Sequence, residues 1–551
     1  VSITATPNSG SLFTGWTGDV TSTNATISVL MDTNKVITAT FESPIFVDVS
    51  ATGNNDGSNW SDAYTDLKDA IQNAVAGDKI WVAAGTYKPH TSSRSTYFDI
   101  SQPNISIYGG FVGTETQLSD RVLGTNETIL SGDLNGNDNN TSDFVSNYGN
   151  STRNADNSYR VINITATGNN LTLGGLTISD AHTNVNTTII GGAIIKDDSV
   201  SNLTIRNCVI KNNVSRNYCA GIFAEFSLSN TNGTRGSFVI DRCKFTNNMS
   251  RGGSGIYSII AANTEVVITI SNSVFDNNIT DNLNATTVAY SGSSMWLRSA
   301  GASSDATFNV YNNTFTNNVD KGTISGIVDD RFRATLAISK NGNFSNNING
   351  NVANCIFWNN TGLGDHASTN GLTRAISDIT ENPITSLNVN NCLDSLNFVE
   401  GSITSTTNTV TTNPLFVNTT NRDYTLQSTS PAINAGDNSK VTLGITTDLA
   451  GNARILNTTV DMGAYEFGAV LGVENKVFLK DFKLYPNPVN SIINIQLAET
   501  IEKIEVYSLL GRKVLESNTT EINVSNFSSG VYLLKVYTKN GRIGVKRFMK
   551  E

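Results

Sequence analysis

Five segments repeat one arrangement of residues suited to gripping a sugar polymer: Ala193-Ile194-Ile195, Gly221-Ile222-Phe223, Gly255-Ile256-Tyr257, Ser294-Met295-Trp296 and Gly326-Ile327-Val328. If the middle residue of each points inward along a strand, alternation sends Ile195, Phe223, Tyr257, Trp296 and Val328 to the opposite face. Two residues on, that face carries Asp197, Glu225, Ile259, Arg298 and Asp330. Phe223, Tyr257 and Trp296 in an exposed row would stack on sugar rings, while Asp197, Glu225, Arg298 and Asp330 bond their hydroxyls. These residues form the candidate glycan-binding set. The same spacing also arises if stacked rings only stabilise a sheet, or if they lie under a long loop.

Cleaving a polymer takes more than holding it. A hydrolase needs a pair of acids about the scissile bond, and a lyase needs an Arg or Lys base near acids that hold calcium. Asp329-Asp330-Arg331-Phe332-Arg333 is the nearest approach, and Asp197-Asp198 is a second acidic pair. Both also read as solvated loop charges. His90, His182 and His366 lie in no Gly-His-Gly-type segment. Asp133-Leu134-Asn135-Gly136-Asn137-Asp138 alternates oxygen side chains as calcium loops do, so Asp133, Asn135, Asn137 and Asp138 are candidate Ca2+ ligands. The segment lacks the glycine and distant Glu of an EF-hand, and an Asn/Asp-rich turn explains it as well. No other cofactor is expected, because zinc, P-loop, dinucleotide and serine-nucleophile motifs are absent.

Those side chains need a frame. At 551 residues the chain exceeds one ordinary core, so several domains or a solenoid are expected. Hydrophobic residues are 38% and charged residues only 15%, with Asn, Thr, Ser and Gly filling the gap. Such a composition disfavours helix and favours turns. Recurrent Ile, Val, Leu and Phe argue against disorder. The net charge of −10 divides unevenly: residues 481–551 hold 10 Lys/Arg against 7 Asp/Glu (+3), and the remainder 27 against 40 (−13). An acidic body repels phosphates and argues against a nucleic-acid partner. No run approaches the ~20 apolar residues of a membrane span. With no initiating Met and no signal peptide, the chain is expected to begin partway into a longer protein.

Residues 101–400 carry an internal repeat. Leu203 to Asn213 aligns with Phe238 to Asn248, Ile268 to Asn278, Phe308 to Asn318 and, more loosely, Gly350 to Asn360. One column runs Ile205, Ile240, Ile270, Val310, Val352; another runs Cys208, Cys243, Ser273, Asn313, Cys355; a third runs Ile210, Phe245, Phe275, Phe315, Phe357. An Asn-Asn pair recurs at 212, 247, 277, 317 and 359. A period of this size with strand-like alternation means a β-solenoid, in which equivalent side chains form ladders ~4.8 Å apart. Asparagine suits its tight bends, because it tolerates left-handed backbone and can bond its neighbours along the stack. Cys208, Cys243, Cys355 and Cys392 share one repeat position and read as small buried hydrophobes, with Cys219 outside the column.

Several segments resemble known families. Leu67, Ala70, Ile71 and Ala74 follow helical spacing before a strand-like Lys79 to Ala83, with Gly77 as the helix stop. This order resembles the entry cap of right-handed parallel β-helices of the pectate-lyase-like superfamily. Asn413 to Gly436 and Asp448 to Glu466 resemble its closing region. Thr4 to Gly10, Phe13 to Asp19 and Thr38 to Phe41 resemble the second half of an internalin-type B-repeat, with Trp16 as core anchor. The tail holds Tyr485-Pro486-Asn487-Pro488, Ile504 to Arg512, Ser529 to Val536 and Lys546 to Lys550. That series resembles the type A C-terminal sorting domain of type 9 secretion cargo in Bacteroidetes.

The resemblance implies that Tyr485, Pro486, Asn487, Pro488, Gly511, Gly530, Tyr532, Lys535, Lys546, Arg547 and Lys550 belong to an export signal. Its implied partners are the outer-membrane translocon, its cargo-carrier barrel and a sorting peptidase, then surface lipopolysaccharide after processing. The basic end of the tail favours an acidic partner surface, or is a solvated edge. The expected fold is all-β: a partial B-repeat module over 1–43, a right-handed parallel β-helix with a helical cap over 44–467, a linker over 468–480 and an Ig-like β-sandwich over 481–551. The expected function is that of an exported surface or extracellular protein, non-catalytic, adhesin-like or glycan-binding. A polysaccharide lyase or glycoside hydrolase on the same solenoid is the alternative.

Overall fold

Each copy of the repeat becomes one coil. Asn202–Arg206 forms a strand, the chain turns, Val209–Lys211 forms a second, Val214–Ser215 a short third and Ile222–Phe226 a fourth. Gly236–Asp241 then starts the next coil by pairing in parallel with Asn202–Arg206. The computed structural model describes residues 1–7, 11–138, 156–165, 170–183, 191–197, 202–226, 236–280, 291–320, 333–340, 346–362, 374–377, 384–395, 399–400, 403–468, 482–497, 500–508, 513–538 and 543–551.

Stacking builds four parallel sheets around one core. Sheet one has eleven strands, from Ile45–Val47 to Ile403–Thr407. Sheet two has nine, from Gly85–Tyr87 to Leu393–Asp394, and sheet three has six very short ones, from His182–Thr183 to Thr361–Gly362. Sheet four has nine, from Phe98–Ile100 to Val399–Glu400. The columns expected from the repeat are the paired positions: Ile205, Ile240, Ile270, Val310 and Val352 are Cα partners in succession and fully buried. Phe245, Phe275, Phe315 and Phe357 stack at centroid distances of 4.6, 4.7 and 4.7 Å.

The asparagine pair divides its labour. The first member makes the corner: Asn212, Asn247, Asn277, Asn317 and Asn359 have φ between 52° and 59°, the left-handed region asparagine tolerates. The second member points inward and is buried. Asn248 Nδ2 donates to Asn278 Oδ1 at 3.0 Å and to the Ile210 carbonyl at 2.9 Å, and the Asn248 N–H reaches the same Oδ1 at 3.3 Å. The pattern repeats from Asn213 to Asn248 (3.0 Å), Asn278 to Asn318 (3.1 Å) and Asn318 to Asn360 (2.9 Å).

The ends and one flank are covered. At the entry, helix Leu67–Asn73 lays Leu67, Ala70 and Ile71 on the core beside Val47, Ile80 and Phe98. Asp66 caps it by accepting the Lys68 N–H at 2.8 Å. The helix ends before Gly77, because Ala74 already has extended backbone. After Ile403–Thr407 the chain returns as a strap along the outside of sheet two. Phe416, Tyr424, Leu426, Ala432, Met462 and Ala464 pack on Val274, Ile356 and Leu393. Polar pins reach back from Asn391, which bonds the Ala435 carbonyl at 2.9 Å, to Arg242, which bonds Thr447 Oγ1 at 2.6 Å. The buried Arg454 guanidinium bonds Asn272 Oδ1 and the Asp461 and Gly463 carbonyls, each at 3.1 Å, and pairs with Glu466. The expected closing region therefore closes a flank.

At the start of the chain, Ser2–Thr4 pairs with Thr26–Ser28 and Leu12–Gly18 with Ile37–Glu42, around Phe13, Trp16 and Val29. Residues 1–470 form one compact unit and 471–551 another. The second unit has a three-stranded and a four-stranded antiparallel sheet around their own core.

Removing one ladder amide strands several buried partners, and each unsatisfied group costs ~1–3 kcal/mol. Asn278→Ala is expected to destabilise the β-helix by about 3 kcal/mol, seen as a lower urea midpoint. An unchanged midpoint would show that the ladder is ornamental.

Candidate functional site

The outer face of sheet four collects the residues singled out for sugar binding. Pairing places Asp99, Asn163, Ile195, Phe223, Tyr257, Trp296 and Ala337 in one row across successive coils. The inner neighbours of the ring-bearing rungs, Ile222, Ile256 and Met295, enter the core. Alternation therefore holds, but exposure does not. Phe223, Tyr257 and Trp296 are only 4%, 2% and 4% exposed. Tyr257 and Trp296 stack at 4.5 Å and 15°, and Tyr218 packs across both at 5.7 and 5.5 Å. Trp296 Nε1 is also satisfied, donating to Ser339 Oγ at 2.8 Å. The rings form a rail inside a small outer core with Cys219 and Ala337, and the expected open stacking surface is corrected.

The next outward row stays accessible. Asp197 is exposed, while Glu225, Ile259 and Arg298 are half-buried. Arg298 braces the rail, donating to the Tyr257 hydroxyl at 3.4 Å and lying 5.4 Å over Trp296. Arg251 lies 5.2 Å over Tyr218. The last expected rung is displaced: Trp296 pairs with Ala337 and Arg298 with Ser339, so Ser339 occupies the place assigned to Asp330. Asp330 itself, like Val328 and the acidic run around it, lies outside the described residues. A Gly-Ile-Val triplet carries the local pattern of a rung, but pairing with the preceding coil decides which triplet enters the sheet.

At its first end the face opens into a cleft of about 440 Å³ lined by Lys68, Gln72, Tyr97, Asp99, Ser101 and Gln102, among others. Asp99 accepts from Asn163 at 3.1 Å and from Thr165 at 3.3 Å, and Arg160 donates to Asn163 at 2.8 Å. These residues were not anticipated. The signal was present: Phe98-Asp99-Ile100 and Ile162-Asn163-Ile164 alternate as the other rungs do.

The Asp133 segment is a turn. Asp133 accepts the N–H groups of Gly136 (2.7 Å), Asn137 (3.3 Å) and Asp138 (3.1 Å). Asn135 offers its N–H to Asp156 at 3.2 Å, and Asp138 accepts Asn157 Nδ2 at 2.7 Å. Among the described residues no group of three or more His, Cys, Asp or Glu is disposed to hold a metal ion. Of the candidate calcium residues Asp133, Asn135, Asn137 and Asp138, the Asp133 carboxylate thus serves backbone donors of the Asn/Asp-rich turn that is the alternative reading. Burial, reinforced by Asp133, Asp180 and Asp156, raises the Asp138 carboxyl to about 6 against the Asn157 hydrogen bond.

In the tail, the Tyr-Pro-Asn-Pro motif staples the last strand. Asn487 Oδ1 accepts the Met549 N–H at 2.9 Å, its Nδ2 donates to the Arg547 carbonyl at 3.3 Å, and Val489 bridges Lys550. Tyr485, Pro486 and Pro488 flank that staple and are exposed. Gly530 opens strand Gly530–Thr538 opposite Lys550, and Tyr532 is buried against Phe548 at 5.6 Å. Lys546 lies 5.1 Å over Phe482, Lys550 is mostly buried, and Arg547 and Lys535 point to the outer face. Gly511 lies outside the described residues.

Residues 483–551 match the family described as secretion system C-terminal sorting domain, and residues 1–44 match the divergent InlB B-repeat domain. No curated protein matches the chain. Among solved structures, pectate lyase Pel9A is similar over 77% of this chain and 97% of its own, at 13% identity and a TM-score of 0.35. Escherichia coli YbhC is similar over 55% of this chain and 73% of its own, at 15% identity and a TM-score of 0.24. The molecule is thus a parallel β-helix carrying a type 9 secretion sorting domain. It interacts with that secretion system and is exported across the outer membrane to the cell surface or the extracellular space.

Two outcomes follow. Trp296→Ala is expected to cost about 3 kcal/mol as a core truncation, measured as a lower unfolding midpoint. A raised carboxyl favours the folded state most when protonated, so the Asp138 contribution is full below ~4 and lost as pH rises through about 6. Asp138→Asn should therefore stabilise the protein at pH 7 by about 1 kcal/mol, discounted for partial exposure, and leave it unchanged at pH 4. Thermal melts at the two pH values check this.

Proposed function

We propose that the exported β-helix is a non-catalytic, adhesin-like protein that binds an extended glycan along the outer face of sheet four. The observation that carries this reading is the accessible row Asp197, Glu225 and Arg298 beside a packed aromatic rail, with a polar cleft on the same face. Coils advance by ~4.8 Å, close to the length of one pyranose unit, so successive rungs meet successive sugars. The rail contributes rigidity: its rings hold Arg298 in place, and a fixed guanidinium loses little entropy on binding.

The arrangement favours holding over cutting. Asp197 directly follows strand Ile194–Lys196 and Glu225 lies on the adjacent strand Ile222–Phe226, on the same side of any chain laid along the face, whereas hydrolysis needs carboxyls flanking the bond. Ile259 separates Glu225 from Arg298, placing them two strands or ~10 Å apart. That spacing keeps base and acid from sharing one sugar carbon. For the tail, the proposed partners are the outer-membrane translocon, a cargo-carrier barrel, a sorting peptidase and finally lipopolysaccharide; the sorting-domain match supports this reading.

The test is a glycan-binding screen with the purified full chain. Glu225→Gln with Arg298→Gln is expected to weaken binding about tenfold while the fold persists. Undiminished binding would remove sheet four from consideration, and release of unsaturated product from uronic-acid polymers would establish the lyase alternative.

A further inference from the structure

We propose that the outer-membrane machinery receiving the tail docks on one half of the outer face of its four-stranded sheet, a checkerboard of Val531, Leu533, Lys535, Val545, Arg547 and Met549. This rests on the reading of the tail as the export signal. Alternation sends Tyr532, Leu534, Val536 and Phe548 into the sandwich core and these six residues to the opposite side. They face one another in register: Val531 with Met549, Leu533 with Arg547, Lys535 with Val545. Leu533, Val545 and Met549 are 39%, 46% and 48% exposed, large apolar side chains interleaved with Lys535 and Arg547 on an open face, and exposed apolar surface of this kind marks an interaction site.

The rest of that face is already satisfied. Glu505 takes Lys503 at 3.1 Å, Lys513 at 3.5 Å, and the hydroxyls of Tyr507 and Tyr537 at 2.8 and 2.7 Å. Lys535, paired across from Glu505, lies instead 5.1 Å over the Tyr537 ring. The free edge of the last strand is also partly taken, because Asn487 and Val489 bond it between Arg547 and Glu551. Strand addition is blocked along that stretch of the edge, while the face beside it stays open to a partner. The tail is net +3 over residues 481–551 (10 Lys/Arg minus 7 Asp/Glu). Charge complementarity therefore calls for an apolar surface ringed by carboxylates.

The full chain is expressed in the producing bacterium and its display read by protease accessibility on intact cells. Leu533→Asp with Val545→Asp should lower display about tenfold and leave folded protein in the periplasm. Ile492→Asp, an exposed apolar position on the other sheet, should be displayed normally. If the first pair unfolds the tail, Lys535→Glu with Arg547→Glu decides, with the same loss expected. Normal display of a folded variant of either pair, while deletion of residues 483–551 traps the protein, overturns the docking face and leaves the export reading intact. Normal display after that deletion overturns the export reading and the docking face with it.

Discussion

A buried amide that must bond its own copy in the next coil is the constraint on which this β-helix depends. Asn213, Asn248, Asn278, Asn318 and Asn360 each sit where a strand turns into the core, out of reach of water. Each of the first four donates to the identical side chain that the next coil brings to the same height, and Asn360 ends the ladder as an acceptor. A slip of one residue would leave amides unpaired in a medium where that is costly. The ladder thereby sets the register that the phenylalanine stack and the aliphatic columns then fill. Its hydrogen bonds specify, and the apolar columns supply most of the stabilisation.

Fixing the register inside also fixes what stands outside. Because every strand alternates, the residues between the core positions form outward rows of their own, and each sheet meets a different fate. Sheet two is roofed by the returning strap, locked by the Arg454–Glu466 pair. Sheet four grows a second apolar layer of Phe223, Tyr257 and Trp296, with Tyr218 packed across the last two. Aromatic residues facing out of a solenoid are thus no guarantee of a wet surface. The polar residues flanking that layer, Glu225 and Arg298, stay half-buried.

Much of the site was legible, and the misses have physical causes. Phe223, Tyr257 and Trp296 were correctly phased because period-two alternation is a local property. Their burial was not legible, since Tyr218 reaches Tyr257 and Trp296 from a loop outside the strands. Asp330 was assigned to a rung that Ser339 fills, because loops of variable length separate local pattern from pairing partner. The cleft around Tyr97 and Asp99 was missed because its residues come from the cap helix and from a coil lying before the clear repeats. Asp133 looked like a calcium ligand from its neighbours alone, yet its carboxylate closes its own turn.

The sequence by itself determined the solenoid, its columns, the bends at asparagine and the presence of a sorting domain at the end. These are written in short, repeated patterns, because each residue's role depends on neighbours along the strand and on copies of itself. Only the tertiary structure decided which outward faces remain open. Covering a face depends on a strap, a loop or a cap arriving from elsewhere in the chain, as Arg454 reaches Asn272 across 182 residues. Such contacts have no period to betray them, so exposure, and with it the location of function, belongs to the folded molecule.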